Sequence, residues 1–201
     1  MLAFFSLALM YKNFNMTTQK PTRGVLLVAE PSIIGDVSFN RSIVLLAEYN
    51  ENGTVGFILN KPLEYKVKDF IPEVNSNLKV YNGGPVEQDN LYFIHRIPEI
   101  IPDSIEISNG IYWGGDFRAI LGLLQEDKLK EDQIRFFLGY SGWANEQLEQ
   151  ELEVNSWVVI PNEYKNDIIG KSNQDFWKEK MIEFGGDYVI WSNAPENPSF
   201  N

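Results

Sequence analysis

The chain has no cysteine and one histidine, His95, among its 201 residues. Disulfides, thiolate metal sites and a cysteine nucleophile are thereby excluded. Zinc sites built on two or three histidines are excluded as well. Basic residues are scarce, with 17 Lys and Arg against 28 Asp and Glu, for a net charge of −11. The deficit deepens late in the chain, where Trp143 to Asn201 carries eleven acids and four lysines. Such a surface repels phosphate backbones and anionic lipid, and it lacks the basic stripe on which nucleic-acid binding relies. Direct nucleic-acid binding is therefore disfavoured, and no membrane partner is expected.

Long apolar runs are missing too. Leu2 to Met10 is apolar but spans nine residues, short of the roughly 20 that cross a bilayer. It has neither a basic leader nor a convincing cleavage site. An early start codon accounts for it, with Met16 as the expected true start. Residues 1–20 then read as an N-terminal extension and residues 21–201 as a single domain, placed in the cytoplasm. No Gly-x-Gly-x-x-Gly and no P-loop occurs. Carboxylates leave oxygen-ligated Mg²⁺ or Ca²⁺ open, but no residue pattern marks such a site, and neither metal nor cofactor is expected.

What is present is material for a core: 44% of residues are apolar and 13% aromatic, which rules against a disordered chain. Gly24–Glu30 reads as a buried strand closed by Pro31. Ser42–Tyr49 and Thr54–Asn60 read as a hairpin, because Asn52-Gly53 supplies the positive φ its turn requires. Lys61-Pro62 reads as a strand stop. Leu78–Tyr81, Asn90–Arg96, Ile105–Ser108, Gly110–Trp113, Gln133–Tyr140 and Ser156–Ile160 complete the strands. Helices are expected from Asp116, an N-cap followed by Phe117, Ile120, Leu121 and Leu124 on one face. Two more are expected over Ala144–Glu153, with Leu148 and Leu152 inward, and over Gln174–Phe184, ended by Gly185-Gly186. The tail from Asn193 reads as irregular. Strands and hairpins come early and helices late, which favours an α+β fold with a mixed, largely antiparallel sheet and flanking helices.

The most distinctive run is Leu138-Gly139-Tyr140-Ser141-Gly142-Trp143, followed by Gln147-Leu148-Glu149 and Glu151-Leu152. With it stand Gly24 to Ala29 plus Pro31, Phe39-Asn40-Arg41-Ser42, Gly56 to Pro62, and Gly83-Gly84-Pro85-Val86. Trp113-Gly114-Gly115-Asp116 and Pro198-Ser199-Phe200-Asn201 belong to the same pattern. In this order, over residues 22–201, the chain resembles the YqgE/AlgH family. The resemblance implies a compact α+β domain whose bifurcated sheet folds into a pseudo-barrel. The family's label as a transcriptional regulator comes from its alginate-regulation member. The resemblance supplies no DNA-binding motif and no catalytic residues.

Read on its own residues, Gly139-Tyr140-Ser141-Gly142 invites comparison with the nucleophile elbow, but Trp143 stands where its last glycine belongs. The only histidine precedes the serine, whereas a hydrolase triad places it after. Chains of the family often carry Ala at the position of Ser141. The structural reading is a strand-to-helix turn in which Ser141 or Asn145 caps the helix and Trp143 anchors it. Gly83-Gly84 reads as a tight turn or, alternatively, an anion-binding nest. Asp116 reads as an N-cap and is the first acid to test should a metal or substrate bind. Glu48 to Gly53 fails as a calcium loop, since Leu59 occupies its twelfth position. His95 reads as a strand-edge histidine with its hydrogen bonds satisfied.

Three functions from different classes follow. The first is a non-enzymatic regulatory or protein-interaction domain with an unknown protein partner, acting through an aromatic patch that includes Trp143 or Trp177. The second is a small-molecule-binding protein or hydrolytic enzyme. There the glycine corners 83–84, 114–115 and 139–142 converge near Asn60 and His95, so that Asn60, Gly83, Gly84, His95, Gly115, Asp116, Gly139, Ser141 and Gly142 line one pocket. The third is direct DNA binding, ranked last for its charge.

Overall fold

A computed structural model describes residues 19–33 and 36–195. The expectations for the N-terminal extension, Met16 and the closing Pro198–Asn201 motif lie outside the described residues. Among the described residues, ten strands and five α-helices form an α+β fold. The strands are β1 Leu26–Ala29, β2 Ile43–Asn50, β3 Gly53–Ile58, β4 Pro62–Lys66, β5 Lys79–Asn82, β6 Val86–His95, β7 Ile105–Ser108, β8 Ile111–Trp113, β9 Ile134–Trp143 and β10 Trp157–Ile160. The helices are α1 Phe117–Gln125, α2 Gln147–Glu153, α3 Ile168–Lys171, α4 Phe176–Phe184 and α5 Tyr188–Asn193.

The sheet runs β10-β1-β2-β3-β9-β6-β8-β7, with β4 and β5 branching from β9. All pairings are antiparallel except β5 with β9. The branch is the bifurcation that the family resemblance implied. Closure into a barrel does not follow, because the two ends of the path, β10 and β7, are not paired. Near the β7 end, the Arg23 guanidinium donates from Nε to the carbonyl of Ile107 at 3.1 Å. A side chain thus occupies a carbonyl of the edge strand, a common way to blunt an open sheet edge.

Strand β9 divides the interior in two. Successive strand residues point to opposite faces, so Phe136 enters one core while Phe137 enters the other. The larger core gathers Leu26, Leu45, Phe57, Phe137 and Leu148 with Ile168, Phe176 and Met181 from the late helices. Helix α4 docks on β1 through Trp177, whose Nε1 donates to Ala29 O at 2.8 Å. Helix α5 does the same through the Tyr188 hydroxyl, which donates to Glu30 at 2.7 Å. The smaller core sits under α1, where Ile120 and Leu124 meet Val80, Phe93, Ile101 and Phe136. Asp116 caps α1 as expected, accepting from Arg118 N at 2.8 Å. Phe117, on the expected apolar face, is instead half exposed.

Strand β3 ends at Ile58, ahead of Lys61-Pro62 as expected, and Pro62 also opens β4, which is allowed because β4 is an edge strand and Pro62 its first residue. Two local expectations are corrected. The strand expected to stop at Tyr140 continues through Trp143, since Ser141, Gly142 and Trp143 pair with Gly56, Val55 and Thr54. The helix after it begins at Gln147 instead of Ala144, and neither Ser141 nor Asn145 caps it. Its N-cap is Glu146, left-handed at φ 63°, without a side-chain cap bond.

Candidate functional site

The signature glycines build the branch point of the sheet. Residues 136–138 of β9 lie between β5 and β6, while residues 141–143 pair with β3. Gly139, at φ +67°, makes the bend between them, and a Cβ there would lie 2.5 Å from Val86 O. Gly83 N donates to Leu138 O at 2.9 Å, and Gly83 O accepts from Ile58 N at 3.0 Å. The same carbonyl accepts from Ser141 Oγ at 3.0 Å. A Cβ on Gly83 would fall 2.1 Å from Gly139 O. Two of the three glycine corners therefore meet, but each fills the space of the other with backbone. Ser141 is fully buried, and its hydroxyl is spent on that junction.

The third corner lies elsewhere. His95 pairs across from Ile134, six residues along β9 from Tyr140, which faces Val86 at the branch point. At about 3.4 Å per residue the separation is roughly 20 Å. At this far end the His95 ring bonds the backbone through both nitrogens. Nδ1 accepts from Ile97 N at 3.3 Å, and Nε2 lies 3.3 Å from Gly114 O. Burial pushes this imidazole below its ordinary value. Gly115 packs on Ile101, Pro102 and Ser104, and Asp116 is taken up by its capping bond. The single pocket expected over all three corners is thus not formed by the described residues.

Asn60 belongs to neither end. Its Oδ1 accepts from Ile43 N at 2.8 Å and its Nδ2 donates to Arg41 O at 2.9 Å. Lys61 Nζ donates to Ser38 O at 2.7 Å. The Asn60-Lys61-Pro62 motif therefore clasps the loop carrying Phe39-Asn40-Arg41-Ser42. Arg41 in turn lies over the Trp177 ring, 5.2 Å from its centroid, and donates to the carbonyls of Ala194 and Pro195.

The aromatic patch expected at Trp143 or Trp177 is corrected by burial, for both are under 5% exposed. Trp143 and Trp157 donate their indole N–H groups to the same Glu151 oxygen, at 2.9 and 2.7 Å. Phe39 stacks on Trp143 and meets Trp157 edge-on. A buried indole needs a partner for its N–H, and Glu151, eight residues after Trp143, serves two. Sequence reasoning gave Glu151 no role, although its fixed spacing from Trp143 in the signature run was visible. It also passed over Arg135, a lone cation in the apolar stretch Ile134-Arg135-Phe136-Phe137. This guanidinium is buried without a carboxylate partner among its described hydrogen bonds. It donates to Leu59 O, Ile169 O and Ser172 Oγ and lies 4.2 Å from the Tyr81 ring centroid. Desolvation pushes it down to about 10.

Two hollows of about 300 and 380 Å³ flank the turn between β2 and β3. Glu51, Glu146 and Glu149 line the first, and Glu48, Val86, Tyr140 and Gly142 the second. The Tyr49 hydroxyl donates to Glu149 at 2.6 Å in the first hollow, and that bond raises the tyrosine above its ordinary value. Among the described residues, no three His, Asp or Glu side chains are grouped as a metal site requires. Nor is any described helix long and apolar enough to cross a membrane. Exposed apolar side chains are spread over the chain, from Tyr65 and Ile105 to Val154, and include Ile182 on α4 and Val189, Ile190 and Trp191 on α5.

Comparison with known proteins agrees with the sequence signature. The AlgH-like family model matches residues 26–189. A UPF0301 protein of Cytophaga hutchinsonii is 42% identical over 182 residues, covering 90% of this chain and 99% of its own. A UPF0301 protein of Bacteroides fragilis is 40% identical, covering 90% and 92%. Among solved structures, a Corynebacterium diphtheriae protein superposes with a TM-score of 0.70 at 25% identity, covering 92% of this chain and 97% of that one. The AlgH protein of Pseudomonas aeruginosa gives 0.66 at 22%, covering 90% and 98%, which supports the fold alone. These names state no activity, and what the chain does is argued from its own surfaces. On the family match and the extent of the shared sequence, the chain belongs to the YqgE/AlgH family.

Proposed function

We propose that the chain is a non-enzymatic, cytoplasmic domain that acts by binding another protein. One observation carries this reading: the groups that chemistry would need are already used to hold backbone. Ser141 Oγ is bonded to Gly83 O, both His95 nitrogens face main-chain partners, and the Asp116 carboxylate caps α1. Ser141 and His95 are also fully buried, which leaves neither a face on which a reacting atom could sit. The two hollows beside the β2–β3 turn include none of Ser141, His95 and Asp116 in their lining. The net charge of −11 opposes direct contact with DNA, so a regulatory role would run through a protein partner.

The surface best suited to such contact is the outward side of α5 with the end of α4. Ile190 is 70% exposed, and Val189, Trp191 and Ile182 are exposed with it. Interfaces favour aromatic and aliphatic anchors of this kind. In-cell photo-crosslinking from position 190, with position 73 as an exposed control, tests the reading. A discrete protein adduct from 190, absent from 73 and weakened by Trp191→Asp, is expected. No adduct at 190, or the same adducts from both positions, would refute this surface.

A further inference from the structure

We propose that the rim of the β4–β5 hairpin is a second docking surface, which receives an acidic segment of a partner protein that also carries apolar side chains. Lys66 and Lys79 stand directly opposite each other on the two strands. Val67 N donates across to Leu78 O at 3.0 Å. That bond makes Lys66 and Lys79 a non-hydrogen-bonded pair, the closer of the two kinds in an antiparallel ladder. Their side chains share a face, and like charges so placed repel. Lys79 is exposed and Lys66 half-buried.

The acids that would offset these cations are missing. None of Lys66, Lys68 and Lys79 forms an ion pair among the described residues, and Lys68 donates to the neutral Asn77 Oδ1 at 2.7 Å. Arg135 extends the row. Strand β5 runs parallel to β9 with Val80 beside Phe136, so Lys79 and Arg135 stand one step earlier on the two strands. The Arg135 guanidinium covers the Tyr81 ring, and Tyr81 shares its face with Lys79, two residues before it. Glu131 attracts Arg135 but forms no ion pair with it, and the guanidinium donates to neutral acceptors. Residues 61–82 thus hold four lysines against three acids in a chain of net charge −11. One of those acids, Asp69, is taken up by Lys66 N at 2.7 Å. Carboxylates brought by a partner offset the repulsion along this row, and a neutral or basic segment does not.

Apolar anchors stand beside the cations. Tyr65, next to Lys66 on β4, is 52% exposed and meets Phe70 edge-on at 5.4 Å, with Phe70 itself 38% exposed. Because β4 is an edge strand, a segment lying across its rim reaches both the ring pair and the lysines. The contact is made by side chains and not by strand addition, since Pro62 offers no N–H and that of Lys66 is held by Asp69. This rim belongs to the lobe around the smaller core, whereas α4 and α5 pack on the larger one. Docking here therefore does not depend on the α5 surface.

The test is fluorescence anisotropy on the full chain with a fluorescein-labelled peptide Glu-Phe-Glu-Glu-Leu-Glu, and with the same peptide carrying Gln for each Glu. The acidic peptide is expected to bind, more weakly as salt is added, and the Gln peptide to bind about tenfold more weakly. Lys79→Glu turns the facing pair from repulsive to attractive. That variant should gain in urea midpoint while losing about tenfold in affinity for the acidic peptide. Trp191→Asp, which disables the α5 surface, should leave peptide binding unchanged, so the two surfaces are judged separately. No binding of the acidic peptide, equal binding of the Gln peptide, or undiminished binding to Lys79→Glu would overturn the proposal. A Lys79→Glu variant no more stable than the native chain would remove its premise that the lysines repel. Displacement of the peptide by single-stranded DNA at physiological salt would assign the rim to nucleic acid instead.

Discussion

Replacing Arg135 with Met asks what a buried cation without a carboxylate partner does for this fold. The side chain leaves β9 and gathers three acceptors: Leu59 O beyond β3, Ile169 O in α3 and Ser172 Oγ just past that helix. Hydrogen bonds from a charged group contribute about 1.5–3 kcal/mol each, so the three together amount to roughly 4–9 kcal/mol. Against this stands the cost of keeping the charge out of water. Burial pushes the guanidinium down to about 10, which at about 1.4 kcal/mol per pH unit costs roughly 3 kcal/mol. Met restores similar apolar volume but leaves Leu59 O and Ile169 O without this donor. The hydroxyl of Ser172 keeps its own bond to Ile168 O. The balance is a loss of about 2–5 kcal/mol, or a fall in Tm of about 5–15 °C for a chain of this length. Urea unfolding followed by circular dichroism measures it. Arg135→Met as stable as the native chain, or more so, would refute the reasoning: the charge would then be a burden that hydrophobic packing replaces.

Further substitutions probe the branch point and the tryptophan pair. Gly83→Ala places a methyl 2.1 Å from Gly139 O, backbone against backbone, and the variant is expected to be unfolded or recovered only in aggregates. Ser141→Ala removes one hydroxyl bond and should cost about 1–2 kcal/mol with the fold intact, read by the urea midpoint. Glu151→Gln keeps one neutral oxygen for both indole N–H groups and sets its amide N–H against Gln147 Nε2, the donor to the other Glu151 oxygen. It should cost about 1–3 kcal/mol and change the near-ultraviolet circular dichroism of the tryptophans.

Much of the fold could be read from the chain because local chemistry and tertiary structure agree there. Gly53, at φ +136°, follows the hairpin turn, Asp116 starts its helix, and runs of apolar residues mark the buried strands. The failures share a cause. Glycines at 139 and 142 look like a turn in one dimension, yet β9 bends at Gly139 and continues, because a different strand takes over as partner. Strand β4 was missed because its first residue is a proline, and only an edge position makes that harmless. Helix α5 is six residues long, too short for periodicity to register. Individual roles at the candidate site were legible where the partner is local, as for Asp116. They were hidden where the partner is distant, as for Ser141 with Gly83 or Arg135 with Ile169. Burial of Trp143 and Trp177 follows from such distant packing as well, while Ile190 and Trp191 on α5 are exposed.

The central claim is that this chain works by contact with a protein and holds no small ligand or DNA. Thermal unfolding of the full chain against nucleotides, sugar phosphates, divalent metals, acyl donors and duplex DNA tests that most directly. Binding at one hundred times Kd would add about 2.7 kcal/mol, a rise in Tm of about 5–10 °C. The account predicts a flat panel from a folded protein. A reproducible rise with any one class would contradict it.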